Sequence, residues 1–187
     1  YGTVERHKDQ LVVIDDSIVR GTTLKRSILR ILDRLEPKRI VVVSSAPQIR
    51  YPDCYGIDMA KMGDFIAFQA AIDLHKERGN EALIDKVYNA CIEELKKPFA
   101  EQGNMVKPIY ENLTPEETSD KISALLTPAN MKAEVRIIYQ GIQGLHAAIP
   151  NHKGDWYFTG NFPTPGGNRV VNRAFVFWKE GRTDRAY

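Results

Sequence analysis

Val12-Val13-Ile14-Asp15-Asp16-Ser17-Ile18-Val19-Arg20-Gly21-Thr22-Thr23 reads as a strand, two acids, a small-residue loop and a helix start. The apolar run follows the charged Glu5-Arg6-His7-Lys8-Asp9 and fits a parallel strand covered on both faces. At its C-terminal end the carboxylates of Asp15 and Asp16 emerge where open α/β sheets hold their ligands. Gly21 permits a tight turn, and Thr22 or Thr23 is placed to cap the helix beginning at Leu24. The amides of such a loop converge beside a helix N-terminus, which is a phosphate site. Two acids beside it suit vicinal hydroxyls and a divalent cation. A pentose phosphate meets both requirements. Arg20 is either a solvated loop arginine or a residue that steers anionic substrate.

Outward from this stretch, Leu24, Ile28, Ile31, Leu32 and Leu35 mark one face of a helix that stops before Pro37. Arg39 to Ser44 is the next buried strand, and strand–helix–strand implies a right-handed parallel crossover. Ala46-Pro47 breaks it. Helices follow from Asp64 to near Gly79 and from Glu81 to Lys97, the second with Leu83, Val87, Cys91 and Leu95 at fourfold spacing. Cys91 there is a core residue. Thr114-Pro115-Glu116-Glu117 starts a further helix, with Thr as cap, Pro at the first position and Glu at the third. It runs to Leu126. Val135 to Tyr139 is a strand and Ile142 to Ile149 a short helix. The aromatic run Arg173-Ala174-Phe175-Val176-Phe177-Trp178 alternates, which reads as a strand packed on the body, with a partner-facing patch as the alternative.

The chain has 187 residues, 43% hydrophobic and 27% charged, ample for a core. A formal net charge of +2 gives no nucleic-acid surface. No apolar run approaches the ~20 residues of a membrane span. Cys54 and Cys91 form no disulfide framework, which suits a reducing cytoplasm. His7, His75, His146 and His152 show no metal spacing and read as surface or packing residues.

Asp15 to Thr23 resembles the phosphoribosylpyrophosphate (PRPP) signature of type I phosphoribosyltransferases, and its wording is similar to that of the amidophosphoribosyltransferases. Three further stretches agree: Ser45-Ala46-Pro47-Gln48-Ile49-Arg50-Tyr51-Pro52, Cys54-Tyr55-Gly56-Ile57-Asp58-Met59, and Tyr157-Phe158-Thr159-Gly160-Asn161-Phe162-Pro163-Thr164-Pro165. The resemblance implies an α/β type I phosphoribosyltransferase fold, a Rossmann-like parallel sheet with flanking helices. The chain opens at Tyr1, few residues before the signature strand, so the fold is expected to be incomplete at its N-terminus. The expected organisation is a PRPP-binding core at 1–60, a helical insertion at 61–110, a closing helix–strand–helix part at 111–155 and a C-terminal tail at 156–187. Arg50 and Tyr51 read as packing residues.

By the same resemblance, Asp15 and Asp16 are the catalytic acids, holding ribose hydroxyls and magnesium. Ser17, Ile18, Val19, Arg20, Gly21, Thr22 and Thr23 form the PRPP phosphate loop. The implied reaction forms 5-phosphoribosylamine from PRPP and ammonia released from glutamine by an N-terminal glutaminase domain of the parent chain. Purine nucleotides are the implied feedback inhibitors, and a homo-oligomer the implied assembly. This part alone is expected to be inactive. Purine-salvage transferases and non-catalytic nucleotide-binding regulators share the fold and are the alternatives; the intact acid pair favours an enzyme. One branch of the family carries an iron–sulfur cluster on cysteines after its Arg-Tyr-Pro segment and in a C-x-x-C pair before its Phe-Thr-Gly. Here those places hold Asp53, with Cys54 displaced by one, and Gly154 and Tyr157, while Cys91 lies in the inserted helix, so no cluster is expected.

Overall fold

The computed structural model describes residues 2–54, 59–151 and 154–186. Tyr55 to Asp58 of the Cys54–Met59 stretch, and His152, lie outside the described residues. The first strand, β1, is Gln10–Asp15. A π turn at Leu24–Ile28 runs into α1, Leu29–Asp33, and the chain returns as β2, Arg39–Ser44. A single 3-10 turn at Met62–Asp64 precedes α2, Ile66–Glu77, and α3, Glu81–Glu94. Another at Phe99–Glu101 precedes α4, Pro108–Glu111, and α5, Pro115–Leu126. Then come β3, Glu134–Tyr139, α6, Ile142–Ala148, α7, Trp156–Thr159, and α8, Pro165–Lys179. The chain divides into two compact units, Tyr1–Gln48 with Pro115–Pro150, and Ile49–Thr114 with Asn151–Tyr187.

In the first unit the three strands form a parallel sheet in the order β1-β2-β3, flanked by helices. This α/β arrangement is consistent with the type I phosphoribosyltransferase fold that the resemblance implies. Side chains alternate across a strand, so the register sorts residues by face. Ile40, Val42 and Ile137 lie on one face and are fully buried or nearly so. α5 packs against β3, and Ser123 of α5 accepts from the Ile137 amide at 2.9 Å. Lys25 of the π turn donates to the Leu125 carbonyl at 2.7 Å, which holds that turn beside α5 on the same face. At the opposite end, Asp33 accepts from the Lys132 and Ala133 amides and fixes the entry to β3.

The other face corrects the expectation of a strand covered on both sides. Val12 is 64% and Ile14 75% exposed, and Ile138 beside them is exposed as well. β1 is an edge strand, and the helices that meet the sheet among the described residues pack on the Ile40–Val42 side. The apolar run of β1 is therefore a half-buried strand with an uncovered apolar face.

The helix after the loop also differs from its expected form. Leu29 N–H donates to the Leu24 carbonyl, an i→i+5 bond. This wider turn moves the inward positions from fourfold to fivefold spacing. Leu24 and Leu29 are buried, whereas Ile31 (58%) and Leu35 (45%) of the expected face are exposed.

In the second unit α3 and α8 pack together. On α3 the buried positions are Ile84, Val87, Cys91 and Glu94, a stripe that keeps Val87 and Cys91 of the expected one; Leu83 and Leu95 are only half-buried. Phe68 of α2 meets Phe175 and Trp178 of α8 edge-on, with ring centroids 6.0 and 4.8 Å apart. Asn172, fully buried, accepts from the Met105 amide and the Cys91 thiol and donates to the Gly103 carbonyl. Glu94 closes the same loop by accepting from the Gly103 amide at 2.7 Å.

The run Arg173–Trp178 lies in α8 and is not a strand. Pro165 opens that helix behind Thr164, whose hydroxyl accepts from the Gly167 amide. Helical spacing then turns Val171, Ala174, Phe175 and Trp178 to one side. Six alternating residues fit either period, and the cap upstream decides between them. No helix among the described residues is long and apolar enough to cross a membrane.

Candidate functional site

Three parallel strands end in one row: Asp15 of β1, Ser44 of β2 and Tyr139 of β3. The turn leaving β1 is tied to the turn leaving β2. Ser45 N–H donates to the Asp15 carbonyl at 2.9 Å and Ala46 N–H to the Asp16 carbonyl at 3.0 Å. The Ser45 hydroxyl adds a bond to the Asp15 carbonyl at 3.1 Å. The backbone beneath the two acids is thus fixed from the neighbouring strand.

The carboxylates are fixed in turn by their own chain. Asp15 accepts from the Asp16 amide at 3.0 Å, and Asp16 from the Ser17 amide at 2.8 Å. Asp16 is exposed and Asp15 half-buried. Burial, and the carboxyl of Asp16 beside it, push Asp15 above the usual carboxylate range.

Beyond the acids, Ile18 is buried, so its side chain anchors the loop and only its backbone is available to a ligand. Ser17 and Val19 are half-buried, and Arg20, Thr22 and Thr23 are exposed. Gly21 has φ +66°, and its carbonyl accepts from the Lys25 amide at 3.0 Å. Thr23 is already helical in backbone and makes no capping bond through its side chain, and helical structure begins at Thr22. The expected threonine cap is therefore corrected. The glycine turn starts the helix, which leaves both threonines in its first turn. Asp15 to Thr23 thus runs from the end of β1 through the glycine turn into the first helical residues of the sheet unit.

Some residues of the site region escaped sequence reasoning. Tyr139 reads as an ordinary strand aromatic, yet it shares a row with Asp15. Leu126 of α5 lies directly against Gly21, a contact of distant residues with no local signal.

In the second unit, the Arg50 and Tyr51 amides both donate to the Tyr157 carbonyl, at 2.8 and 3.1 Å. The Tyr157 hydroxyl donates to Asp53 at 3.1 Å. The Arg-Tyr-Pro segment is thereby joined to α7. Tyr51 is buried with its ring against Tyr110 and Phe162, and the Arg50 guanidinium lies over the Tyr110 ring. Both are packing residues, as read from sequence. Cys91 is wholly buried, and burial pushes its thiol up to about 12, an inert core position. His75 is buried against the Ile109 carbonyl at 2.8 Å. Among the described residues no group of three or more His, Cys, Asp or Glu side chains is gathered for a metal.

With this geometry in place, the chain can be set beside known proteins. No family model matches it. Among curated proteins, it is 43% identical over 63 residues to a protein of Pasteurella multocida, across 34% of this chain and 12% of that one. It is 34% identical over 87 residues to an Escherichia coli protein, across 46% of this chain and 17% of that one. A Saccharomyces cerevisiae protein is 29% identical over 136 residues, 68% of this chain and 26% of its own length. These relatives are amidophosphoribosyltransferases. The chain matches only about an eighth to a quarter of each of these amidophosphoribosyltransferases.

Proposed function

We propose that this chain carries the PRPP-binding part of an amidophosphoribosyltransferase, in which ammonia derived from glutamine displaces pyrophosphate to give 5-phosphoribosylamine. The observation that carries this reading is the acid pair at the C-terminal edge of a parallel sheet, leading through Gly21 into a helix, in a chain whose relatives bear that name. The Ser17 hydroxyl, the loop amides from Ile18 to Gly21 and the hydroxyls of Thr22 and Thr23 take the 5-phosphate. Asp15 and Asp16 accept from the ribose hydroxyls and hold C1 toward the incoming nitrogen. As the C1–oxygen bond to pyrophosphate breaks, the ring gains positive charge, and fixed carboxylates nearby stabilise it.

The residues fit magnesium. Asp15 and Asp16 present adjacent hard oxygen donors at the end of β1, with the Asp16 side chain exposed. Magnesium is commonly held by one or two carboxylates plus substrate phosphates and water, so two acids suffice. Bound there, it would neutralise charge on the departing pyrophosphate. In this reading the nucleophile at C1 is ammonia supplied by a glutaminase domain elsewhere in the parent polypeptide, as the resemblance implies. Purine nucleotides, which carry the same ribose phosphate, are inhibitors that compete at this loop.

The test is calorimetric titration of magnesium PRPP into the chain and into an Asp15→Asn, Asp16→Asn double variant. Charge-assisted hydrogen bonds of ~1.5–3 kcal/mol each predict at least a hundredfold weaker binding for the double variant. Equal affinity in the two proteins would overturn the assignment.

A further inference from the structure

The hydroxyl of Tyr139 is sealed from solvent and has no hydrogen-bond partner among the described residues. Native proteins leave few buried polar atoms unpaired, and each such atom needs a reason. Phenylalanine would fill the same space without the orphan, so the hydroxyl serves a state other than the empty loop.

Its place in the sheet narrows what that state is. Tyr139 closes β3 in the row it shares with Ser44 and Asp15, and one row points to one face. Ser44, between them, turns its hydroxyl to the Ala46 carbonyl at 2.8 Å. Asp15 is the charged member of the row, two strands across from Tyr139 on the same face, about 10 Å between backbones and within the span of a tyrosine and a carboxylate side chain. A carboxylate offers about four lone-pair sites, and the Asp16 amide occupies one on Asp15.

We propose that Tyr139 is a positioning residue for Asp15: with ribose 5-phosphate and magnesium in the loop, the Tyr139 O–H donates to the Asp15 carboxylate and holds it toward the ribose hydroxyls. The inference rests on the reading of Asp15–Thr23 as a pentose-phosphate site. A buried phenol is matched to an ionised acceptor, because such bonds are shorter and stronger than neutral ones. A carboxylate has two oxygens, so a bond from Tyr139 leaves acceptor capacity on Asp15 for the ribose hydroxyls.

Calorimetry with magnesium and ribose 5-phosphate on the chain, on Tyr139→Phe, on Asp15→Asn and on the double variant tests this, together with thermal melts of the ligand-free proteins. Tyr139→Phe is expected to melt no lower than the parent and to bind about tenfold more weakly. In the Asp15→Asn background the same change is expected to alter affinity less than about twofold, since the two residues act as one unit. Parent-like binding by Tyr139→Phe would overturn the inference and leave the loop assignment standing. So would a lowered melting temperature, which marks a structural hydroxyl, or an undiminished loss in the Asp15→Asn background. Failure of the parent chain itself to bind ribose 5-phosphate overturns the pentose-phosphate reading, and Tyr139's role with it.

Discussion

At Gly21 the backbone takes φ +66°, and a Cβ built there would lie 2.5 and 2.6 Å from the two Leu126 methyls. Both the turn and the close approach of α5 require glycine. Gly21→Val is expected to destabilise the chain by about 1–3 kcal/mol through overpacking and backbone strain, read as a lower melting temperature. Thr22→Val keeps the shape and is exposed, so its melt should be unchanged while PRPP affinity falls about tenfold to hundredfold. Unchanged affinity in Thr22→Val would remove that hydroxyl from the phosphate site. The acids and the glycine were legible because their chemistry is local: a strand end, two carboxylates, a forced turn. The threonine cap was misread because Gly21 starts the helix instead. Tyr139 was missed because only sheet register, set over more than a hundred residues of intervening chain, brings it into a row with Asp15.

Among elements, the helix after the loop shows where periodicity misleads. Sequence spacing marks Ile31 and Leu35 as inward, but the π turn advances the phase, and Leu29 takes the fully buried position. Leu29→Ala should therefore cost about 2–5 kcal/mol, and Ile31→Ala less than about 1, by urea denaturation. Equal costs would mean a regular helix in solution. α8 makes the complementary point. Its six-residue alternation suits a strand, yet the cap at Thr164 and Pro165 and the packing of Phe175 on Phe68 impose a helix. Long elements with start and stop signals in the sequence, such as α5, were readable to within a residue or two. Short runs were not, because their period is ambiguous until a partner surface selects it.

On the scale of the whole chain, the parallel sheet was legible from two apolar runs around a helix, whereas its uncovered face was not. Val12 and Ile14 are apolar enough for a doubly covered strand, and sequence carries no sign of which layers are present. The places of the family's cluster ligands follow the opposite course, from sequence to geometry. Asp53 and Tyr157 there form a hydrogen bond, and Cys91 is engaged with Asn172 in the core. Four thiolates are needed for a cluster, and this chain has two cysteines. Anaerobically purified protein should therefore be colourless, with no stoichiometric iron or sulfide on analysis; a visible charge-transfer band would contradict this. The central claim is that Asp15 to Thr23 binds a pentose phosphate. Its most direct test is nitrogen-15 NMR of the labelled chain titrated with ribose 5-phosphate and magnesium. The account predicts saturable shifts concentrated on the amides of Asp16 to Thr23. Saturable shifts elsewhere with this loop unmoved, or none at millimolar ligand, would contradict it.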